Sequence, residues 1–129
     1  MAQGIQIRDA HYPGRSPIDA YGNGGFRFAE MSHRGSILCI PSGIHGWKVK
    51  DPEVLSDDDF APIVAEAGGI EILLVGTGPT LRPLPREVRA SLKEAGMSVE
   101  LMSTGAAVRT YNVLLAEDRR VAAALIAID

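Results

Sequence analysis

The stretch Ile70-Glu71-Ile72-Leu73-Leu74-Val75-Gly76-Thr77-Gly78 decides the fold. The nearly continuous apolar run from Ile70 to Val75 reads as a strand buried on both faces, as in parallel sheets. It stops at Gly-Thr-Gly, where the chain must turn. Two helices and two further strands follow it. Pro85 to Ala95 reads as a helix, with Pro85 at its first position, Val88 and Leu92 on one side and Gly96 as the stop. Ser98 to Met102 is the next strand. Thr104 is placed as the N-cap of a helix from Gly105 to Glu117, in which Ala107, Tyr111, Leu114 and Leu115 form one buried stripe. Asp118-Arg119-Arg120 turns the chain into a last strand, Val121 to Ile128. The order β-α-β-α-β, with right-handed crossovers, predicts parallel pairing in this half.

Upstream the pattern changes to antiparallel β structure. Ile5-Gln6-Ile7 alternates as a short strand does. Ile18 to Tyr21 and Phe26 to Glu30 flank Gly22-Asn23-Gly24-Gly25, a hairpin signal because Asn and Gly accept positive φ. Phe26 and Phe28 share a face and Arg27 takes the other. Ser36 to Ile40 is a third run, broken by Pro41-Ser42-Gly43, and Ile44 to Val49 with Trp47 continues the sheet. In Leu55-Ser56-Asp57-Asp58-Asp59-Phe60, Ser56 and Asp59 resemble a capping box. Pro62 then predicts a helix that starts late or bends. The expected architecture is a single α/β domain over residues 1–129. It has a mixed, mostly parallel central sheet with helices, in two or three layers, and the N-terminal antiparallel segments are added to it.

The 129 residues, 46% of them hydrophobic and 22% charged, form a chain able to bury a core without disulfide or metal staples. A net charge of −3 argues against bulk nucleic-acid binding, and 5% aromatic residues against a base-stacking platform. The N-terminus has no secretory or transit pattern. Val121 to Ile128 falls far short of the roughly 20 apolar residues of a spanning helix. One cysteine excludes a disulfide framework. A cytoplasmic protein is expected, with no membrane span and no nucleic-acid partner.

If the strands ending at Val75 and Met102 are parallel, the loops beyond them share one edge of the sheet, where ligand crevices of α/β proteins form. The second loop also opens a helix, whose free N–H groups attract anions. Gly76, Thr77, Gly78, Thr104, Gly105, Arg109 and Asn112 are therefore the candidate ligand-binding residues, an anion pocket for phosphate or carboxylate. The plainer reading makes Gly-Thr-Gly a tight turn, Thr104 a cap and Arg109 a structural partner. Leu81 stands where a dinucleotide fingerprint needs its third glycine, and no phosphate loop occurs. Cys39 lies in an apolar strand and reads as a small core residue. His11, His33 and His45 are too dispersed for a zinc pattern. Ser42 and His45 are a nucleophile-and-base spacing without a nucleophile elbow. Asp57-Asp58-Asp59 reads as a charged first helical turn. No catalytic residue, metal or cofactor is assigned.

The segments Ile70–Gly78, Thr104-Gly105-Ala106-Ala107-Val108-Arg109-Thr110-Tyr111-Asn112-Val113-Leu114-Leu115 and Glu117–Ile126 together resemble a family of small proteins. That family includes mitochondrial NADH dehydrogenase (complex I) assembly factor 3, and its prokaryotic members are described as a domain of unknown function. Gly25-Phe26, the Ser36–Ile40 run and Trp47 fit as well, so the resemblance covers about Ile5 to Ile128. It implies an α/β fold with a central mixed sheet, and a non-enzymatic accessory or assembly protein with protein partners. The mitochondrial members act on complex I from the matrix side. Gly76, Thr77, Gly78, Arg109, Thr110, Tyr111 and Asn112 match the family's motifs, which bring no catalytic role or cofactor with them. The alternative is a protein or enzyme that takes a small anionic ligand at the Gly76-Thr77-Gly78 loop and Arg109.

Overall fold

A computed structural model describes residues 11–129. The strand expected at Ile5-Gln6-Ile7 lies outside them. Nine strands and three α-helices follow in chain order. They are β1 (His11–Pro13), β2 (Ile18–Gly22), β3 (Gly25–Phe28), β4 (Met31–Arg34), β5 (Ser36–Ile40), β6 (Gly43–Trp47), α1 (Asp57–Ala65), β7 (Ile72–Gly76), α2 (Arg86–Glu94), β8 (Ser98–Met102), α3 (Thr104–Ala116) and β9 (Val121–Leu125).

Six strands form the main sheet in the order β1-β6-β5-β9-β7-β8, and β2-β3-β4 form a separate antiparallel sheet. As expected, β7, β8 and β9 are parallel, with Gly76 paired to Leu125 on one side and Met102 on the other. The three strand ends therefore lie level at one edge. The pairings of β9 with β5, β5 with β6 and β6 with β1 are antiparallel. Parallel pairing is thus confined to the C-terminal half, because only there do helices carry the chain back across the sheet.

Period-2 alternation divides the core between the two faces. Ile37, Cys39, Leu74, Val121, Ala123 and Leu125 point to one side, where Ala107, Val108 and Tyr111 of α3 and Ile18, Phe26 and Phe28 of the small sheet cover them. Leu38, Ile40, Leu73, Val75, Ala122 and Ala124 point to the other, against Phe60 and Ile63 of α1 and Val88 and Leu92 of α2. The result is three layers. Burial on both sides explains the unbroken apolar runs of β5, β7 and β9. Each fully buried Leu, Ile or Phe side chain contributes about 1.5–3 kcal/mol. Trp47 adds an edge-to-face contact with Phe60, ring centroids 5.5 Å apart, and its indole N–H donates to the Asp59 carbonyl at 2.8 Å.

Several boundaries differ from expectation for identifiable reasons. The helix expected to start late begins directly after Ser56, where the Asp59 carboxylate accepts from the Ser56 N–H at 2.9 Å. Pro62 is accommodated inside it. The run Phe26–Glu30 ends at Phe28, because Ala29 and Glu30 turn at φ 47° and 62° into a third strand, β4. The expected hairpin itself is present, with Asn23 and Gly24 at φ 53° and 79°. Helix α3 ends in a Schellman motif: the Arg119 N–H donates to the Leu114 carbonyl and the Asp118 N–H to Leu115, with Asp118 at φ 60°.

Candidate functional site

At the carboxyl edge of β7, β8 and β9 the two predicted loops do meet. A Cβ on Gly76 would lie 2.9 Å from Thr104 Cα, so glycine is what lets α3 start against the end of β7. Thr104 is not the N-cap. Ser103 holds that place, its hydroxyl accepting from the Ala106 N–H at 3.3 Å. Thr104 is instead the fully buried first residue of the helix. Its hydroxyl donates to the Ile126 carbonyl at 2.7 Å and accepts from the Gly78 N–H at 3.0 Å. The Thr104 N–H in turn donates to the Gly78 carbonyl, 2.8 Å, and the Ile126 N–H to the Gly76 carbonyl, 3.0 Å. The short buried hydroxyl cross-links two strand ends, a position from which it cannot also cap its own helix.

Thr77 is equally engaged. Its hydroxyl donates toward the Thr80 and Met102 carbonyls, at 2.8 and 3.2 Å, and accepts from the Arg82 N–H at 2.9 Å. Gly78, at φ 109°, needs glycine for the turn itself. Gly105 faces Tyr21: a Cβ there would stand 2.5 Å from the phenol oxygen, so the β2 tyrosine lies across the first turn of α3. Asn112 is drawn away to the small sheet. Its amide accepts from the Ile18 N–H and donates to the Ile18 carbonyl, both at 2.9 Å. It thereby extends the ladder of β2 onto α3. Arg109 is exposed and makes no ion pair or side-chain hydrogen bond among the described residues. Of the seven candidates, Gly76, Thr77, Gly78, Thr104 and Gly105 come together, whereas Asn112 joins another contact and Arg109 faces solvent.

The other chemical candidates resolve in the same terms. Cys39 is buried, and burial pushes its thiol up to about 12. Tyr111, hydrogen-bonded to it, is also raised, by burial first and then by the neighbouring thiol. A thiol held protonated in a dry core is not a nucleophile at neutral pH. Ser42 and His45 do approach, Oγ to Nε2 at 3.0 Å. Sequence spacing missed the third member, Glu66, whose carboxylate accepts from the Ser42 hydroxyl at 2.6 Å and from the Ser42 N–H at 2.8 Å. The serine's single proton goes to Glu66, which leaves His45 as donor to the hydroxyl. The Ser42 N–H is likewise taken by Glu66. The trio ties the β5–β6 turn to the end of α1. Among the described residues no group of three His, Cys, Asp or Glu side chains could hold a metal, and no helix is long and apolar enough to cross a membrane.

Two open cavities lie away from the strand-end corner. One, of about 470 Å³, runs between β6 and α1 beside Trp47, His45 and Glu66. The other, of about 420 Å³, lies where the small sheet meets the main one and is rimmed by His33, Arg34, Lys48 and Lys50. Neither is announced by a motif. The one sequence signal for the second is the alternation Trp47-Lys48-Val49-Lys50, which buries Trp47 and Val49 and leaves both lysines exposed.

These features define a small three-layer α/β domain whose strand-end loops are closed by internal hydrogen bonds. The chain belongs to the DUF498/DUF598 family of proteins of unknown function, which it matches over residues 18–126. It is 40% identical over 119 residues to an uncharacterised protein of Rhodobacter capsulatus, covering 92% of this chain and 90% of that one. It is 29% identical over 122 residues to mouse NADH dehydrogenase [ubiquinone] 1 alpha subcomplex assembly factor 3, covering 95% of this chain and 66% of the relative's length. A crystal structure described as an outer membrane protein from Bartonella henselae matches with a TM-score of 0.89 and 60% identity, over 92% of this chain and all of the other. The resemblance read from the sequence motifs thus holds for family and fold.

Proposed function

We propose that this chain is a non-enzymatic accessory protein that works through protein contacts, in the assembly of a respiratory NADH dehydrogenase. The observation that carries the reading is the relationship to complex I assembly factor 3 across 95% of the chain. The closed corner supports it, since the Thr77 and Thr104 hydroxyls already have hydrogen-bond partners within the chain. Exposed apolar side chains support it too: Val54 and Leu81, 75% and 63% exposed, follow and precede the residues of the Glu53–Arg82 ion pair and so flank it. The site of action in this reading is the cytoplasm, which cell fractionation checks against the envelope. The test of the contact itself is capture of the tagged chain at native abundance from a cell that makes complex I. A stoichiometric complex with unassembled NADH dehydrogenase subunits is expected. Recovery of the free chain alone would contradict the proposal.

A second reading rests on Arg109, an exposed residue on the second turn of α3 that belongs to neither ion pair of the described residues. Here the Gly76-Thr77-Gly78 loop, Thr104 and Gly105 shape the corner, Asn112 anchors α3 to the small sheet, and Arg109 holds a small phosphate or carboxylate. Thermal unfolding with inorganic phosphate tests it. A stabilisation that Arg109→Ala abolishes is expected, and its absence at saturating phosphate would reject the pocket.

A further inference from the structure

The cavity between the two sheets has the charge and the build of a ligand site. Lys48 and Lys50 alternate with Trp47 and Val49, so the latter pair turns into the core and both lysines are exposed at the cavity. Arg34 and His33 close the opposite rim. A Cβ on Gly24 would lie 3.8 Å from the Arg34 guanidinium, and one on Gly35 3.6 Å from His33 Nε2, so both side chains fold close over glycine backbone. Asp129 is the one acidic residue among the lining residues. None of Arg34, Lys48, Lys50 and Asp129 belongs to either ion pair of the described residues, Arg82–Glu53 and Arg119–Glu71. Three basic residues, Arg34, Lys48 and Lys50, gather here with one acidic residue in a chain of net charge −3.

The walls are fixed without a ligand. The Ser36 hydroxyl donates to the Val49 carbonyl at 2.6 Å and accepts from the Ala127 N–H at 2.9 Å. The Gly24 N–H donates to the Ile128 carbonyl and the Gly35 N–H to the Gly24 carbonyl, both at 2.7 Å. These four bonds join the β2–β3 turn, the start of β5, the segment after β6 and the segment after β9. The volume, about 420 Å³, is within the few hundred Å³ typical of small-molecule sites. The backbone that carries the cations is thus in place before an anion enters, and the ordering cost falls on the exposed side chains of Arg34, Lys48 and Lys50.

We propose that this cavity is a binding site for a small anion whose phosphate or carboxylate groups lie between Arg34, Lys48 and Lys50. The proposal is independent of the assembly role and of the Arg109 corner.

Isothermal titration at low salt with pyrophosphate, inorganic phosphate and citrate as separate probes tests it. Saturable binding of one stoichiometric anion is expected, weakening as ionic strength rises. Pyrophosphate binding above citrate names phosphate as the recognised group, and the reverse order names carboxylate. Arg34→Gln and Lys50→Gln each weaken the better probe at least about tenfold. Both sites are exposed, so the variants fold, and unchanged melting without probe verifies this. Arg109→Ala binds as wild type does. Absence of saturable binding by any probe, or unchanged affinity in the Arg34→Gln/Lys50→Gln double variant, would overturn the proposal. So would loss of binding in Arg109→Ala, which would move the anion to the other corner. An acidic peptide that binds more tightly than all three probes would also overturn it, in favour of a protein partner.

Discussion

Thr104 shows how a single hydroxyl can be mistaken for chemistry when only its neighbours in sequence are known. A threonine before a helix after a glycine-rich strand end fits both a cap and an anion site. The structure gives it a third task, joining the Gly78 N–H to the Ile126 carbonyl. Thr104→Val keeps the shape and orphans both buried groups, so it should lower the unfolding free energy by about 1–3 kcal/mol. Thr104→Ser should recover most of that loss, and chemical denaturation of the three proteins checks both. Cys39 gives a second test at this scale. Its folded-state value, about 12, lies above the ordinary thiol value of 9.0. The protonated form is favoured by folding, so its contribution is whole below about pH 9 and is lost as pH rises toward 12, as the unfolded chain ionises first. Stability should therefore fall in that window by up to about 1.4 kcal/mol per pH unit for this group. Cys39→Ala should flatten the decline, although Tyr111 contributes in the same direction at higher pH. A decline equally steep in both proteins would contradict the assignment.

Elements were legible wherever one residue pattern met one environment. The runs of β5, β7 and β9 lie between two covered faces, so their apolar continuity was sufficient. The Asn23-Gly24 hairpin was legible because those residues announce positive φ. Strand β4 was not legible, since Ala29 and Glu30 make its turn at φ 47° and 62°, which neither residue favours. Ala29→Asn with Glu30→Gly should fit the same turn with less strain and stabilise the protein by about 1 kcal/mol, read as an increased denaturation midpoint with unchanged slope. A decrease would mean that the side chains of Ala29 or Glu30 make contacts worth more than the strain. The candidate site was half legible for a related reason. Strand order brought Gly76–Gly78 and Thr104 to one edge, but no pattern along α3 indicates that Asn112 serves Ile18 of a distant strand. Likewise, Glu66 and the Arg34–Lys50 cavity depend on contacts between segments that are far apart in sequence.

At the scale of the whole molecule, two cores on opposite faces of one sheet give a rigid body whose strand-end corner is closed and whose recognisable chemistry is largely internal. The assembly role proposed above would use the outer surface of this body rather than its interior. Family membership over residues 18–126 places it among relatives that include assembly factors for NADH dehydrogenase. The most direct measurement is the amount of fully assembled complex I, by native gel with in-gel NADH dehydrogenase activity, in a complex I-bearing strain from which this chain has been deleted. The account predicts that the subunits are still made while assembled enzyme falls several-fold, and that wild type and Arg109→Ala both restore it. Undiminished assembled enzyme in the deletion strain would contradict the account.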